Sequence, residues 1–153
     1  MRATGVVLDS NLLLLLVVGL AGEKYVAKHK RLAEYTVEDF RLLTRSISGV
    51  ECVIVTPNTL TETSNFLGYI AEPDRSYLFN VFREFIGTAN EKYLESDVSS
   101  RRPEFPRLGL TDCVLLDAVS DAIPLLTADL DLYLAALANG RTAVNFNHMR
   151  EGM

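Results

Sequence analysis

The sequence predicts an α/β fold, a three-layer α/β/α sandwich built on a central parallel sheet. Three observations predict it. Short continuous apolar runs, beginning with Gly5-Val6-Val7-Leu8, suit strands covered on both faces. Those runs alternate with longer segments of helical character, the pattern of parallel strands joined by crossover helices. The chain has 153 residues, 48% hydrophobic and 23% charged, enough to bury one core and short enough to be a single domain over residues 1–153.

The first strand ends at Asp9, and a helix is expected from about Asn11 to Leu20. The mixed, basic stretch from Glu23 to Tyr35 shows no clear period. Thr36 can cap the next helix and Asp39 suits its first turn, after which Val37, Phe40, Leu43 and Ile47 repeat at helical spacing up to Gly49. The second strand is Glu51 to Val55. Thr56-Pro57 then supplies an N-cap with proline at the first helical position, for a helix reaching about Ala71. Glu72-Pro73-Asp74 breaks it, and a further helix runs from Arg75 to Ile86. The stretch from Thr88 to Leu108 is irregular, with a short strand expected near Tyr93-Leu94. A helix opens at Leu110-Thr111-Asp112 and reaches about Ala122. Pro124 to Thr127 is a strand, Leu130 to Ala138 a helix closed by Asn139-Gly140, and Thr142 to Phe146 a last strand.

Composition excludes some classes. Fifteen basic against 20 acidic residues give a net charge of −5, so bulk charge does not mark a basic nucleic-acid binder. A bound metal ion can still supply positive charge locally. Cys52 and Cys113 lie in apolar runs and are expected as small buried hydrophobes in a reducing compartment. Two histidines, His29 and His148, argue against a His-rich metal site. The apolar run Leu12 to Gly22 contains five consecutive leucines but is about half the length of a membrane span, and Asp9 precedes it where a signal peptide wants basic residues. It is expected as a buried helix of a cytoplasmic protein.

In a parallel α/β fold, ligands bind at the carboxyl ends of the strands. Asp9 ends the first strand, Glu62 lies in the second turn after the second strand, Asp112 opens a later helix, and Asp129 follows the strand ending at Thr127, with Asp131 two residues on. Hard divalent cations take oxygen ligands, and Mg²⁺ uses a few carboxylates while keeping several waters. A cluster of such carboxylates suits one or two Mg²⁺ or Mn²⁺ ions. The plainer alternative is helix capping, since Asp9, Asp112 and Asp129 each sit where a cap belongs. Glu62 is too far into its helix to cap it, and its plainer alternative is a solvated face. Lys24, Lys28, Lys30 and Arg31, or Arg101 and Arg102, can touch an RNA backbone but fit a solvated face better. Tyr69, Tyr77, Phe79, Phe82 and Phe85 fit core or a dimer face better than a base-stacking platform.

The ordered segments resemble the PIN domain family. Val-Val-Leu-Asp9-Ser10-Asn11 before an apolar helix resembles its first motif, and Thr56-Pro57-Asn58-Thr59-Leu60-Thr61-Glu62 its second. Leu108-Gly109-Leu110-Thr111-Asp112 resembles the third, Leu126-Thr127-Ala128-Asp129 the fourth, and Thr142 to Phe146 the final strand. The resemblance spans residues 4 to 147, and the chain is longer than is usual between Gly22 and Gly49. It implies a Mg²⁺- or Mn²⁺-dependent ribonuclease, with Asp9, Glu62, Asp112 and Asp129 as metal-binding carboxylates and Asn11, Thr127 and Asp131 as helpers. Many small prokaryotic members are VapC-like toxins that dimerise, which makes RNA the substrate, and an antitoxin protein and a second copy candidate partners. Two other classes compete. One is a catalytically silent PIN-like module that binds RNA or protein, although all four acidic positions are filled here. The other is a Mg²⁺-dependent phosphatase, for which Asp9-Ser10-Asn11 lacks the second carboxylate of an Asp-x-Asp pair.

Overall fold

A computed structural model describes residues 3–152. The first strand, β1 (Gly5–Leu8), is buried throughout and leads through Asp9 into α1 (Ser10–Ala21). Ser10 and every residue from Leu12 to Gly19 are buried, so the leucine run is a core helix. Among the described residues no helix is long and apolar enough to cross a membrane. Gly19 is required by packing, because a Cβ there would enter the ring of Phe40. The basic stretch resolves into a short helix α2 (Lys24–Lys28) and a single 3₁₀ turn (Lys30–Leu32). Helix α3 (Val37–Ile47) starts with the expected Thr36 cap, which Asp39 completes as a capping box.

Strand β2 (Cys52–Val55) precedes α4 (Pro57–Leu67), and α5 (Asp74–Thr88) follows. Helix α4 ends short of Ala71, because Gly68 closes it and a poor helix former there favours the turn. Strand β3 is Asn90–Glu91, not Tyr93-Leu94: backbone pairing with Ile54 and Val55 selects it, and Tyr93 is left exposed. Two one-turn helices, α6 (Ser96–Ser99) and α7 (Phe105–Leu108), occupy the irregular stretch. Helix α8 (Leu110–Ala118) stops before Ala122, because Ser120 and Ile123 form an antiparallel bridge that turns the chain toward β4 (Leu125–Thr127). Helix α9 (Leu130–Ala138) follows. The last strand is only β5 (Ala143–Asn145), since Asn145 caps an unexpected terminal helix, α10 (Phe146–Glu151).

The five strands pair in parallel in the order β3-β2-β1-β4-β5. Side chains of β1 alternate between two cores, as a strand's period of two requires. Val6 and Leu8 join the core of α1, α3, α4 and α5, while Val7 joins that of α8 and α9. The strand order reverses between β1 and β4, where the chain passes from one side of β1 to the other. The carboxyl ends of those two strands flank the crevice where open α/β sheets bind ligands.

Two expectations about side chains change, for Cys52 and Arg102. Cys113 is buried as expected, but Cys52 is only half-buried; both are free thiols. Arg102 is no solvent-facing cation: it is held 2.6 Å from Asp117, with Glu104 at 3.7 Å. In α5, Leu78 and Phe82 are buried and Phe79 and Phe85 pack against the core, while Tyr69 and Tyr77 are exposed.

Candidate functional site

Asp9 occupies the junction between β1 and α1 and is 5% exposed. Its Oδ1 accepts the Leu12 N–H at 2.8 Å, so it is the helix cap that the plainer reading expected. Its Oδ2 does something no cap needs. It accepts the Thr127 hydroxyl and the Ala128 N–H at 2.9 Å, both from the end of β4. Burial pushes the Asp9 carboxyl above its ordinary value. The bonds from Thr127, Leu12 and Ala128 pull it back, and the Asp129 charge pushes it further up.

Thr127 is wholly buried, and its Oγ1 also accepts the Asp129 N–H at 3.0 Å. Asp129 in turn caps α9, accepting the Leu132 N–H at 3.1 Å. The capping alternative therefore holds for Asp9 and Asp129, without excluding a second role. For Asp112 only its first-turn form holds. The N-cap of α8 is Gly109 at φ +85°, with no side-chain cap bond, and Asp112 lies in the first turn beyond it. The Asp112 carboxyl is pushed up to about 7, first by burial and then by the charges of Asp129, Asp9 and Glu62. That coupling brings all four carboxylates into one electrostatic neighbourhood. Helix α4 packs on α8, and Glu62 lines an open recess of about 340 Å³ with Pro57, Asn58, Thr61, Asn65 and Thr111.

Asn11 and Asp131 are exposed, and among the described residues neither hydrogen-bonds to that set. Among the described residues, too, no three His, Cys, Asp or Glu side chains are grouped closely enough to hold a metal ion. The donor chemistry nonetheless fits Mg²⁺ or Mn²⁺. Carboxylate, hydroxyl and amide oxygens are hard ligands, and Mg²⁺ needs few of them because it keeps much of its water. Asp9 accepts three hydrogen bonds of about four that a carboxylate can take, which leaves one position open. The Ser10 hydroxyl beside it is buried without a hydrogen-bond partner among the described residues.

The basic run offers little to a ligand here. Lys28 is bonded to Asp74 at 2.6 Å, and the Arg31 guanidinium lies 4.2 Å from the Phe66 ring centre. Sequence reasoning missed a second cluster at the same edge. Tyr35 is buried, and its hydroxyl is pushed well above the ordinary range by burial, then by the charge of Asp9. The Arg150 guanidinium lies 4.9 Å from the Tyr35 ring centre, and Asn147 donates to the Ala128 carbonyl at 3.0 Å. These residues come from a non-periodic stretch and from the last helix, so only their polarity beside a cap or strand end could have signalled them. Comparison with protein-family models, curated proteins and solved structures finds no match for the chain.

Proposed function

We propose that this protein is a metal-dependent ribonuclease of the PIN type. One observation carries the proposal: Asp9 and Asp129 stand at the strand-order reversal between β1 and β4, joined through Thr127, and burial together with the charges of Asp129, Asp9 and Glu62 pushes the nearby Asp112 carboxyl up to about 7. Asp9, Glu62, Asp112 and Asp129 would hold Mg²⁺ or Mn²⁺, with Asp131, Asn11 and Thr127 at the margin. When bound, such an ion supplies a lowered pKa for water and positive charge beside a phosphate. The protein's own part is positional. Thr127 and Ala128 aim the Asp9 carboxylate through its Oδ2, and Leu12 fixes Oδ1. An ion held there would keep the Asp112 carboxyl ionised, whereas in the metal-free protein burial and its acidic neighbours push it up to about 7. The recess beside Glu62 has room for a nucleotide flanking the cut.

Partners follow at the same level of proposal. RNA is the substrate, and an antitoxin is the expected protein partner if the chain acts as a toxin. Exposed Leu130, Leu134 and Leu137 of α9 and Val144 of β5 form an apolar surface suited to a second copy. The direct test is total RNA incubated with purified protein in Mg²⁺, in Mn²⁺ and in chelator. Cleavage that requires the metal supports the reading, and none in any condition overturns it.

A specific observation favours a second reading, a catalytically silent module that binds RNA or protein. Both Asp9 oxygens and one Asp129 oxygen are engaged by protein donors, as in a scaffold. RNA retained on the protein without cleavage, with or without metal, would select it.

A further inference from the structure

A recess of about 500 Å³ is lined by Thr36, Asp39, Asn147, Arg150 and Glu151. A continuous line of polar contacts runs along it to the acidic site. Asp39 is buried, and its carboxylate takes the Arg150 guanidinium in a two-pronged pair, Nε to Oδ1 and Nη2 to Oδ2, each at 3.1 Å. Asp39 Oδ2 also accepts the Thr36 N–H at 2.9 Å, so this carboxylate is fixed by the start of α3. Arg150 Nη2 additionally reaches the Glu34 carbonyl at 2.8 Å, and its Nη1 donates to Asn147 Oδ1 at 3.1 Å. A guanidinium can only donate, so the Asn147 amide must present its oxygen to Arg150. Its Nδ2 is thereby directed at the Ala128 carbonyl, 3.0 Å away. The Asn147 backbone is held in turn, its N–H donating to Asn145 Oδ1 at 2.9 Å. Ala128 stands between Thr127 and Asp129, and its own N–H donates to Asp9.

We propose that Arg150 and Asn147 are positioning residues for the acidic site. Anchored by Asp39, they hold the turn from Thr127 to Asp129, and through it the Asp9 and Asp129 carboxylates, in register. The Thr127 hydroxyl and the Ala128 N–H both bond to Asp9, and among the described residues the Ala128 carbonyl takes its side-chain hydrogen bond from Asn147. The arrangement makes α10, outside every acidic motif, part of the site. Its link to metal rests on the ribonuclease reading; its link to the turn does not.

Two measurements separate these. The first is amide hydrogen exchange in metal-free protein for wild type, Asn147→Ala and Arg150→Lys. Loss of one hydrogen bond to the turn should raise exchange at Ala128 and Asp129 roughly tenfold, while Val7 and Ile54 within the sheet stay unchanged. Lysine keeps the charge but cannot hold Asp39 with two prongs and reach Asn147 as well, so Arg150→Lys should follow Asn147→Ala. Exchange at Ala128 and Asp129 that rises no more than at Val7 and Ile54 would overturn the proposal. The second measurement is free Mn²⁺ by electron paramagnetic resonance. Both variants should bind Mn²⁺ roughly tenfold more weakly than wild type, the usual scale for loss of an outer support. An unaltered affinity would overturn the claim that the turn positions the carboxylates. A wild type that takes up no Mn²⁺ would instead overturn the metal reading, and the exchange comparison would then decide the positioning proposal alone.

Discussion

The Thr127 hydroxyl donates a hydrogen bond to the Asp9 carboxylate, tying together two residues 118 positions apart at the ends of adjacent strands. The same hydroxyl oxygen accepts the Asp129 N–H, so one buried group serves two acidic residues. Thr127→Val keeps the shape and removes both bonds, leaving the buried Asp9 carboxylate without one of its donors. It should lower stability by about 1–3 kcal/mol, with Thr127→Ser much closer to wild type. Urea unfolding of the two variants checks this. Equal losses would mean that the methyl group matters and the hydroxyl does not.

Asp112 offers the sharpest test of the clustered charge. It caps nothing, and its neighbours Asp129, Asp9 and Glu62 all disfavour its ionised form. Asp112→Asn should therefore raise the melting temperature of metal-free protein at neutral pH while removing most RNA cleavage. Added Mn²⁺ should stabilise the wild type, by about 2.7 kcal/mol at a hundredfold excess over the dissociation constant, and the variant much less. If Asp112 only favours the start of α8, its neutralisation should instead cost up to about 1 kcal/mol and leave the response to Mn²⁺ unaltered.

The same residue sets a pH dependence. The folded Asp112 carboxyl titrates near 7, above its ordinary 3.8. Between about pH 4 and 7 the folded state keeps a proton that the unfolded state has released, so this group's contribution to stability is full below about pH 4 and is lost as pH rises through 7. The Asp9 shift acts in the same direction. Urea midpoints of metal-free wild type should fall between pH 5 and 7.5, and those of Asp112→Asn should fall less. Parallel curves for the two proteins would contradict the assignment.

The acidic positions should rank in a cleavage assay. Asp9→Asn and Glu62→Gln should each remove most activity, and Asp129→Asn should cost more than Asp131→Asn, because Asp129 is hydrogen-bonded to Thr127 and Leu132 while Asp131, among the described residues, stands outside that set. A metal-activated water should leave a 5′-phosphate and a 3′-hydroxyl. A 2′,3′-cyclic phosphate at the cut end would rule that chemistry out, as would cleavage lost on 2′-O-methylation of an RNA that still binds.

Packing makes a prediction independent of function. Gly19→Ala on α1 drives a methyl group into the Phe40 ring of α3. Despite alanine's better helix propensity, the variant should lose about 1–3 kcal/mol. A compensating Phe40→Leu should recover part of it. A Gly19→Ala protein as stable as wild type would show that α1 and α3 can separate cheaply.

Much of the fold was legible in the residues themselves. Apolar runs marked β1, β2 and β4, Thr36 and Thr56-Pro57 marked helix starts, and a parallel α/β sandwich followed from their alternation. These are local signals, carried by propensity and periodicity over a few neighbours. The placement of the candidate acidic residues was legible too, because Asp9 and Asp129 stand at strand ends and Glu62 lies inside its helix, beyond the cap. What the tertiary structure alone decided depends on pairing between distant segments. Strand β3 lies at Asn90–Glu91 because β2 supplies its partners there, although those residues have little strand propensity of their own. Arg102 is half-buried because Asp117 and Glu104 meet it. Asp112 differs from an ordinary helix-start aspartate first through its burial and then through charges brought from three other segments. Arg150 and Asn147 reach Ala128 only because β5 lies beside β4 and delivers α10 to the same edge. Hydrogen bonds and charge–charge interactions act through space, so no local pattern encodes them until the sheet has set the strand order.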